Sequence, residues 1–182
     1  MKQKRRMLLV DGSNFFFKLK DLKLHNLLNF NFSGFAKSLV LTGNLVKSVY
    51  YVGAIKTDGT EQIKKMHNNQ QKLFSHLKKN KFSYSLGYLL KSGGKFHEKG
   101  VDVNIAVDIL VAVYENLCDE IILVSSDTDL LPAIKKAKEK GKIVEYIGFS
   151  HQPSIAMVAN CSRSRLLTKE DLTPFIDQKD EK

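Results

Sequence analysis

Short apolar runs alternate with longer amphipathic stretches along almost the whole chain. Residues 6–10 (RMLLV) form a compact run that stops at Asp11-Gly12, the pattern of a buried strand ending in a turn. Residues 48–55 (SVYYVGAI) are β-branched and aromatic and lead into the turn Lys56-Thr57-Asp58-Gly59. Residues 82–90, 120–125 and 143–147 predict three further strands, the first ended by Ser92-Gly93-Gly94. Helices fall between them. Over residues 61–79, Ile63, Met66, Leu73, Phe74 and Leu77 share one arc of the helical wheel, and Lys64, Lys65, Lys72, Lys78 and Lys79 share the opposite one. Residues 101–117 read as a largely buried helix, and 130–140 as a helix closed by Gly141. The early part predicts a helix over 14–22, a loop over 26–31 and a short helix over 33–41 capped by Ser33. Residues 153–176 predict a helix plus an ordered extension.

Strands alternating with helices of this length imply an α/β fold, a parallel sheet covered on both faces. Right-handed crossovers then make every strand run the same way. No repeat or Pro/Gly/Ser-rich linker divides the 182 residues, so the expectation is one domain over 1–176 and a polar tail over 177–182. No apolar run approaches the ~20 residues needed to cross a bilayer. The basic start is followed only by Met7-Leu8-Leu9-Val10, too short for a signal-peptide core, which leads to a cytoplasmic expectation. Cys118 and Cys161 match no paired-cysteine spacing and read as free thiols, Cys118 as a buried one. Lys and Arg number 29 against 19 Asp and Glu, a net +10. That surplus favours a polyanionic partner, although solubility alone accounts for such a charge in many proteins.

In a parallel sheet, ligands bind at the carboxyl ends of the strands. Asp11 ends the first strand, Asp127 and Asp129 follow the fourth, and Asp102 opens the helix before it. Three distant segments thus bring four aspartates to one rim, together with Lys56 and Asp58 after the second strand. Gathered carboxylates repel one another unless a cation neutralises them, and hard ions such as Mg²⁺ or Mn²⁺ suit oxygen donors. Such an ion supports phosphodiester hydrolysis. Each acid also has a plain local reading. Asp11-Gly12 suits a turn, Asp127 and Asp129 suit a helix cap and first turn, and Asp102 suits a helix N-terminus. On the wheel of the 101–117 helix, Asn104, Asp108 and Glu115 cluster within about 40° and mark the expected wet face, which Asp102 avoids. The glycine-containing stretch 91–99 (KSGGKFHEK) is expected to hang flexibly over the same edge. There Lys91, Lys95, His97 and Lys99 would guide a strand and Phe96 would stack a base; a plain solvated hairpin is the alternative.

Leu9-Val10-Asp11-Gly12-Ser13-Asn14, Lys99-Gly100-Val101-Asp102-Val103 and residues 122–132 (ILVSSDTDLLP) occur in an order and spacing that resemble the NYN family, a branch of the PIN-like ribonucleases. The resemblance covers about residues 7–150. It implies a Rossmann-like three-layer sandwich whose mostly parallel sheet is ordered 3-2-1-4-5, and a Mg²⁺ or Mn²⁺ site acting on RNA. By the same resemblance Asp11, Asp102 and Asp127 would hold the metal, with Asp129 completing the acidic ring. Asn14 would position a water or phosphate, Ser126 would brace Asp127 or touch the scissile phosphate, and Lys99 would meet substrate, with Lys91 and Lys95 alongside. Asp108 also matches a family aspartate but falls on the expected wet face. The oligomeric state stays open, a homodimer included. Other classes fit less well. A haloacid-dehalogenase-type phosphatase wants a second acid where Ser13 stands, and an adhesion-type metal site wants a serine where Phe15 stands. A dinucleotide fold wants more glycines than Gly12, and there is no P-loop lysine or G-x-S-x-G elbow. The remaining rival is a catalytically silent RNA-binding or scaffold module of the same fold.

Overall fold

The computed structural model describes residues 3–56, 59–92 and 95–176, and the backbone alone at 89, 91, 92 and 95–97. Its elements in chain order are β1 (Arg5–Asp11), α1 (Gly12–Asp21), α2 (Phe32–Val40), β2 (Asn44–Ala54), α3 (Glu61–Lys79), β3 (Ser83–Ser92) and β4 (Lys95–Lys99). They continue through α4 (Val101–Tyr114), β5 (Glu120–Val124), α5 (Leu131–Glu139), β6 (Ile143–Phe149), α6 (Ile155–Asn160), β7 (Arg163–Leu167) and α7 (Lys169–Leu172). The sheet is ordered β4-β3-β2-β1-β5-β6-β7. β1, β2, β3, β5 and β6 are the five strands expected from the apolar pattern, and they stand in the expected order.

Two strands extend that set. β7 adds to β6 in parallel and places the segment that the apolar pattern left as an ordered extension. β4 returns antiparallel against β3, with Tyr88 opposite Lys99 and Ser92 opposite Lys95, so the strands do not all run one way. The physical reason is the connection. A parallel return needs a crossover of a dozen or more residues, whereas Ser92 and Lys95 are separated by two. The backbone of this segment is therefore paired strand where it is described, not a free loop.

β1 is buried on both faces because its neighbours carry helices above and below. Leu8 and Val10 enter a core with Phe15, Phe30, Phe32, Phe35 and Phe149 under α1, α2 and α3. Met7 and Leu9 enter the opposite core with Ile105, Ile109, Ile134 and Tyr146 under α4, α5 and α6. No helix among the described residues is long and apolar enough to cross a membrane. Cys118 and Cys161 are buried free thiols, as expected of Cys118.

Local chemistry sets the boundaries. α2 begins one residue before the expected Ser33 cap, because the Asn31 side chain accepts the Gly34 N–H at 2.8 Å. The polar side of α4 is only partly where the wheel put it: Glu115 is exposed, whereas Asn104 and Asp108 are half-buried. Val103, Val107, Val111 and Tyr114 are exposed, while Asp108 accepts the Tyr51 hydroxyl at 2.6 Å and Asn104 donates to the Leu86 carbonyl at 3.2 Å. These two polar side chains bond to groups on the sheet, which overrides amphipathic periodicity.

Gly12 starts α1 where β1 must turn beside β2. A Cβ there would lie 2.3 Å from the Tyr50 ring and 2.5 Å from the Tyr51 carbonyl oxygen. Since backbone cannot yield cheaply, Gly12→Ala is expected to cost about 1–3 kcal/mol of stability, measured by urea unfolding. A cost below about 0.5 kcal/mol would mean the strand–helix junction is looser than this packing implies.

At the amino-terminal end of the sheet, Glu120 and Glu145 are buried and bridged by arginines. Arg6 meets Glu120 at 3.2 Å, Arg163 contacts both glutamates, and Arg165 meets Glu145 at 2.8 Å. Three cations face two anions, and the excess is taken up by the carbonyl end of α2. Arg165 donates to the Ser38 and Leu39 oxygens at 3.2 and 2.9 Å, and Arg6 donates to the Val40 oxygen.

Candidate active site

At the carboxyl edge, opposite the arginine ladder, lies a cleft of about 610 Å³. Asp11 reaches it from the end of β1, Asp102 from the first turn of α4 and Asp127 from the loop after β5. Asp11 is the anchor. It is 8% exposed; one carboxylate oxygen accepts the Asn14 N–H at 3.0 Å, capping α1, and the other accepts the Ser125 hydroxyl at 2.9 Å. Burial pushes its carboxyl up to about 6; the two hydrogen bonds oppose that rise, and the charges of Glu98 and Asp127 add to it.

The rest of the rim is tied to this anchor. The Ser125 hydroxyl also accepts the Asp127 N–H at 3.2 Å, and Asn14 Oδ1 accepts the Ser126 N–H at 3.2 Å, so β1 and β5 are laced together at their ends. Asn14 lines the cleft and keeps its amide NH₂ as a donor. Asp127 accepts the Asp129 N–H at 2.9 Å and caps the short turn Thr128–Leu130. The capping role and the cleft-lining role therefore coexist in one side chain.

Other expected residues stand elsewhere. Asp129 is exposed and is not part of the cleft lining, because that turn carries it outward. The Ser126 hydroxyl pairs with the Tyr146 hydroxyl at 2.8 Å and does not line the cleft; the serine that braces Asp127 is Ser125. Lys99 is exposed and lines the cleft. The side chains of Lys91, Lys95, Phe96 and His97 lie outside the described residues, as does Asp58, and Lys56 is exposed away from the lining.

Sequence reasoning missed Glu98. Its carboxylate accepts the Ser13 hydroxyl at 2.6 Å and the Gly53 N–H, pinning β4 across the ends of β1 and β2. From there the chain turns through Gly100, in a left-handed conformation at φ 78°, straight into the α4 turn that carries Asp102. The only trace in the sequence was a lone acid in a run otherwise read for its lysines. Phe17 and Tyr88 also line the cleft and were not singled out.

The donor set is hard oxygen, the chemistry that suits a divalent cation. Among the described residues, however, no three carboxylate, histidine or cysteine side chains converge closely enough to hold an ion. The acids are a lining rather than a closed cage.

The model of the family described as "NYN domain" matches residues 5–167 of this chain. An uncharacterized protein of Methanocaldococcus jannaschii, MJ0482, is 52% identical over 48 residues, which span 26% of this chain and only 20% of that protein. A crystal structure of a Vibrio parahaemolyticus protein of unknown function, VPA0982, superposes over 91% of this chain and 93% of its own with TM-score 0.65 and 19% identity, a likeness of fold. T5 5′-exonuclease with bound zinc superposes at TM-score 0.46 and 16% identity, over 85% of this chain and 60% of its own.

Proposed function

The chain belongs to the NYN domain family, and from that premise we propose that it is a divalent-metal-dependent ribonuclease hydrolysing phosphodiester bonds at the carboxylate cleft. The observation that carries this reading is the meeting of Asp11, Asp102 and Asp127, from segments 116 residues apart at the extremes, in one cleft with Lys99 beside them. A carboxyl raised to about 6 by burial, with the charges of Glu98 and Asp127 adding to the rise, is a place that a cation would relieve.

Mg²⁺ or Mn²⁺ would be held by Asp11, Asp102 and Asp127, in part through water; when bound it supplies charge to a phosphate oxygen and acidity to a water molecule. The chain's own residues do the rest. Ser125 and the Asn14 N–H hold the Asp11 carboxylate in one orientation. Glu98 fixes the strand that delivers Lys99 and Asp102. Lys99 and the Asn14 amide donate to phosphate oxygens. The +10 net charge draws the polyanion in against the local repulsion of the acids.

The test is cleavage of labelled single-stranded and structured RNA with Mn²⁺, Mg²⁺ or EDTA, by the wild type and Asp127→Asn. Asparagine can still accept the Asp129 N–H, so the cap and the fold should persist. Cutting that needs metal and falls by orders of magnitude in the variant is expected. RNA bound by both proteins without cutting would transfer the protein to a scaffold role.

A further inference from the structure

Three phenylalanine or tyrosine side chains are exposed among the described residues: Phe17, Tyr88 and Tyr114. Tyr114 lies beneath the Lys140 ammonium, 5.4 Å from its ring centre. The other two, 59% and 50% exposed, both line the carboxylate cleft. The other phenylalanine and tyrosine rings among the described residues are packed into the cores beside the sheet. Leaving two rings open at one polar cleft forgoes their burial, and that cost needs an occupant with apolar flat faces.

Both rings stand on fixed supports. Phe17 is carried by α1, the helix capped by Asp11, and its ring meets Phe16 edge-on at 5.7 Å. Tyr88 sits in the middle of the sheet edge, its backbone paired with Ala54 on one side and Lys99 on the other. The acids and Lys99 address phosphate chemistry, and rings beside them address what hangs from the phosphates. A nucleobase offers a π-face of the right kind, but within a duplex both faces are covered by neighbouring bases.

We propose that Phe17 and Tyr88 are stacking platforms for nucleobases and that the cleft therefore takes unpaired nucleotides in preference to duplex. This rests on the nuclease reading above and names its substrate class. Stacking is tolerant of sequence, so the platforms select strandedness and not a particular base.

The test is binding of three probes in Mg²⁺ on the Asp127→Asn background, where the strand survives: an adenosine RNA decamer, the same backbone with abasic residues, and the decamer in duplex. The single strand should bind most tightly, and the abasic strand markedly less well. Phe17→Ala and Tyr88→Ala should each weaken the adenosine strand about tenfold, leave the abasic strand unchanged, and melt as the parent does. Phe17→Tyr should keep the parent's affinity. Equal affinity of the parent for adenosine and abasic strands, tighter binding of the duplex, or alanine variants that bind as the parent does would overturn the proposal. Wild-type cleavage, scored separately, tells the two failures apart. Active cleavage with no stacking effect removes only the platforms, whereas the absence of both cutting and binding removes the nuclease reading with them.

Discussion

At pH 8, Asp11→Asn is expected to melt above the wild type and, on the ribonuclease proposal, to cleave RNA slower by a factor on the order of 10²–10³. The two effects have one cause. Asp11 is buried at the end of β1, and burial together with the charges of Glu98 and Asp127 lifts its carboxyl from 3.8 to about 6. The sign follows from linkage. Below the unfolded value both states are protonated and the carboxyl costs nothing. As pH rises through about 6 the folded state must ionise against its surroundings, and stability is lost. The full loss, about 3 kcal/mol at one pKa unit per 1.36 kcal/mol, is an upper bound reached above that pH. Asparagine removes the charge while still accepting the Asn14 N–H, and its NH₂ can donate to the Ser125 hydroxyl. The stability advantage of the variant should therefore shrink toward zero as the pH is lowered to about 4. Thermal melts across that range, with EDTA present, measure it; an advantage independent of pH would assign the effect to something other than ionisation. The cost is what a metal or substrate site tolerates to keep a charge where solvent would not.

Glu145→Ala is expected to destabilise the protein by about 3–5 kcal/mol, a large share of the ~5–15 kcal/mol that holds a domain of this kind together. The substitution leaves Arg163 and Arg165 without the carboxylate they share, at 3.0 and 2.8 Å, and three arginines then face Glu120 alone. Burial and its two arginine neighbours already lower Arg163. Arg165 would still hold the α2 carbonyls, so the helix end should survive while the β5–β6–β7 edge loosens. Arg163 and Arg165 stay partly exposed, so added salt should screen their repulsion and restore only part of the loss. Urea unfolding at low and high salt reads both points. A loss under about 1 kcal/mol, or one that salt abolishes, would show that the ladder acts as an ordinary surface pairing.

The central five strands were legible because parallel strands covered on both faces are continuous apolar runs; RMLLV and EIILV leave no other reading. β7 was not, since RSRLL opens with arginines that resemble a solvated segment until Glu145 is set beside them. β4 was hidden by its charges for the same reason. The α4 wheel misled because the helix is apolar nearly all round, so its few polar residues marked sheet contacts and not water. Among the site residues, Asp11, Asp102, Asp127, Asn14 and Lys99 fell where strand ends must lead. Glu98, Ser125 and the two open rings depend on side-chain contacts between segments far apart in sequence, which periodicity does not carry.

The hydrogen bond between Asp11 and Ser125 spans 114 residues, and β1 lies between β2 and β5 in the sheet. A nascent chain emerging at ~5–20 residues per second would hold Asp11 for on the order of ten seconds before the partner strand exists. Until then β1 has one bare edge and the Asp11 carboxylate lacks the Ser125 hydroxyl. Truncated products ending before residue 120 would therefore carry Asp11 and Asp102 yet lack both Asp127 and the Ser125 hydroxyl that holds the Asp11 carboxylate.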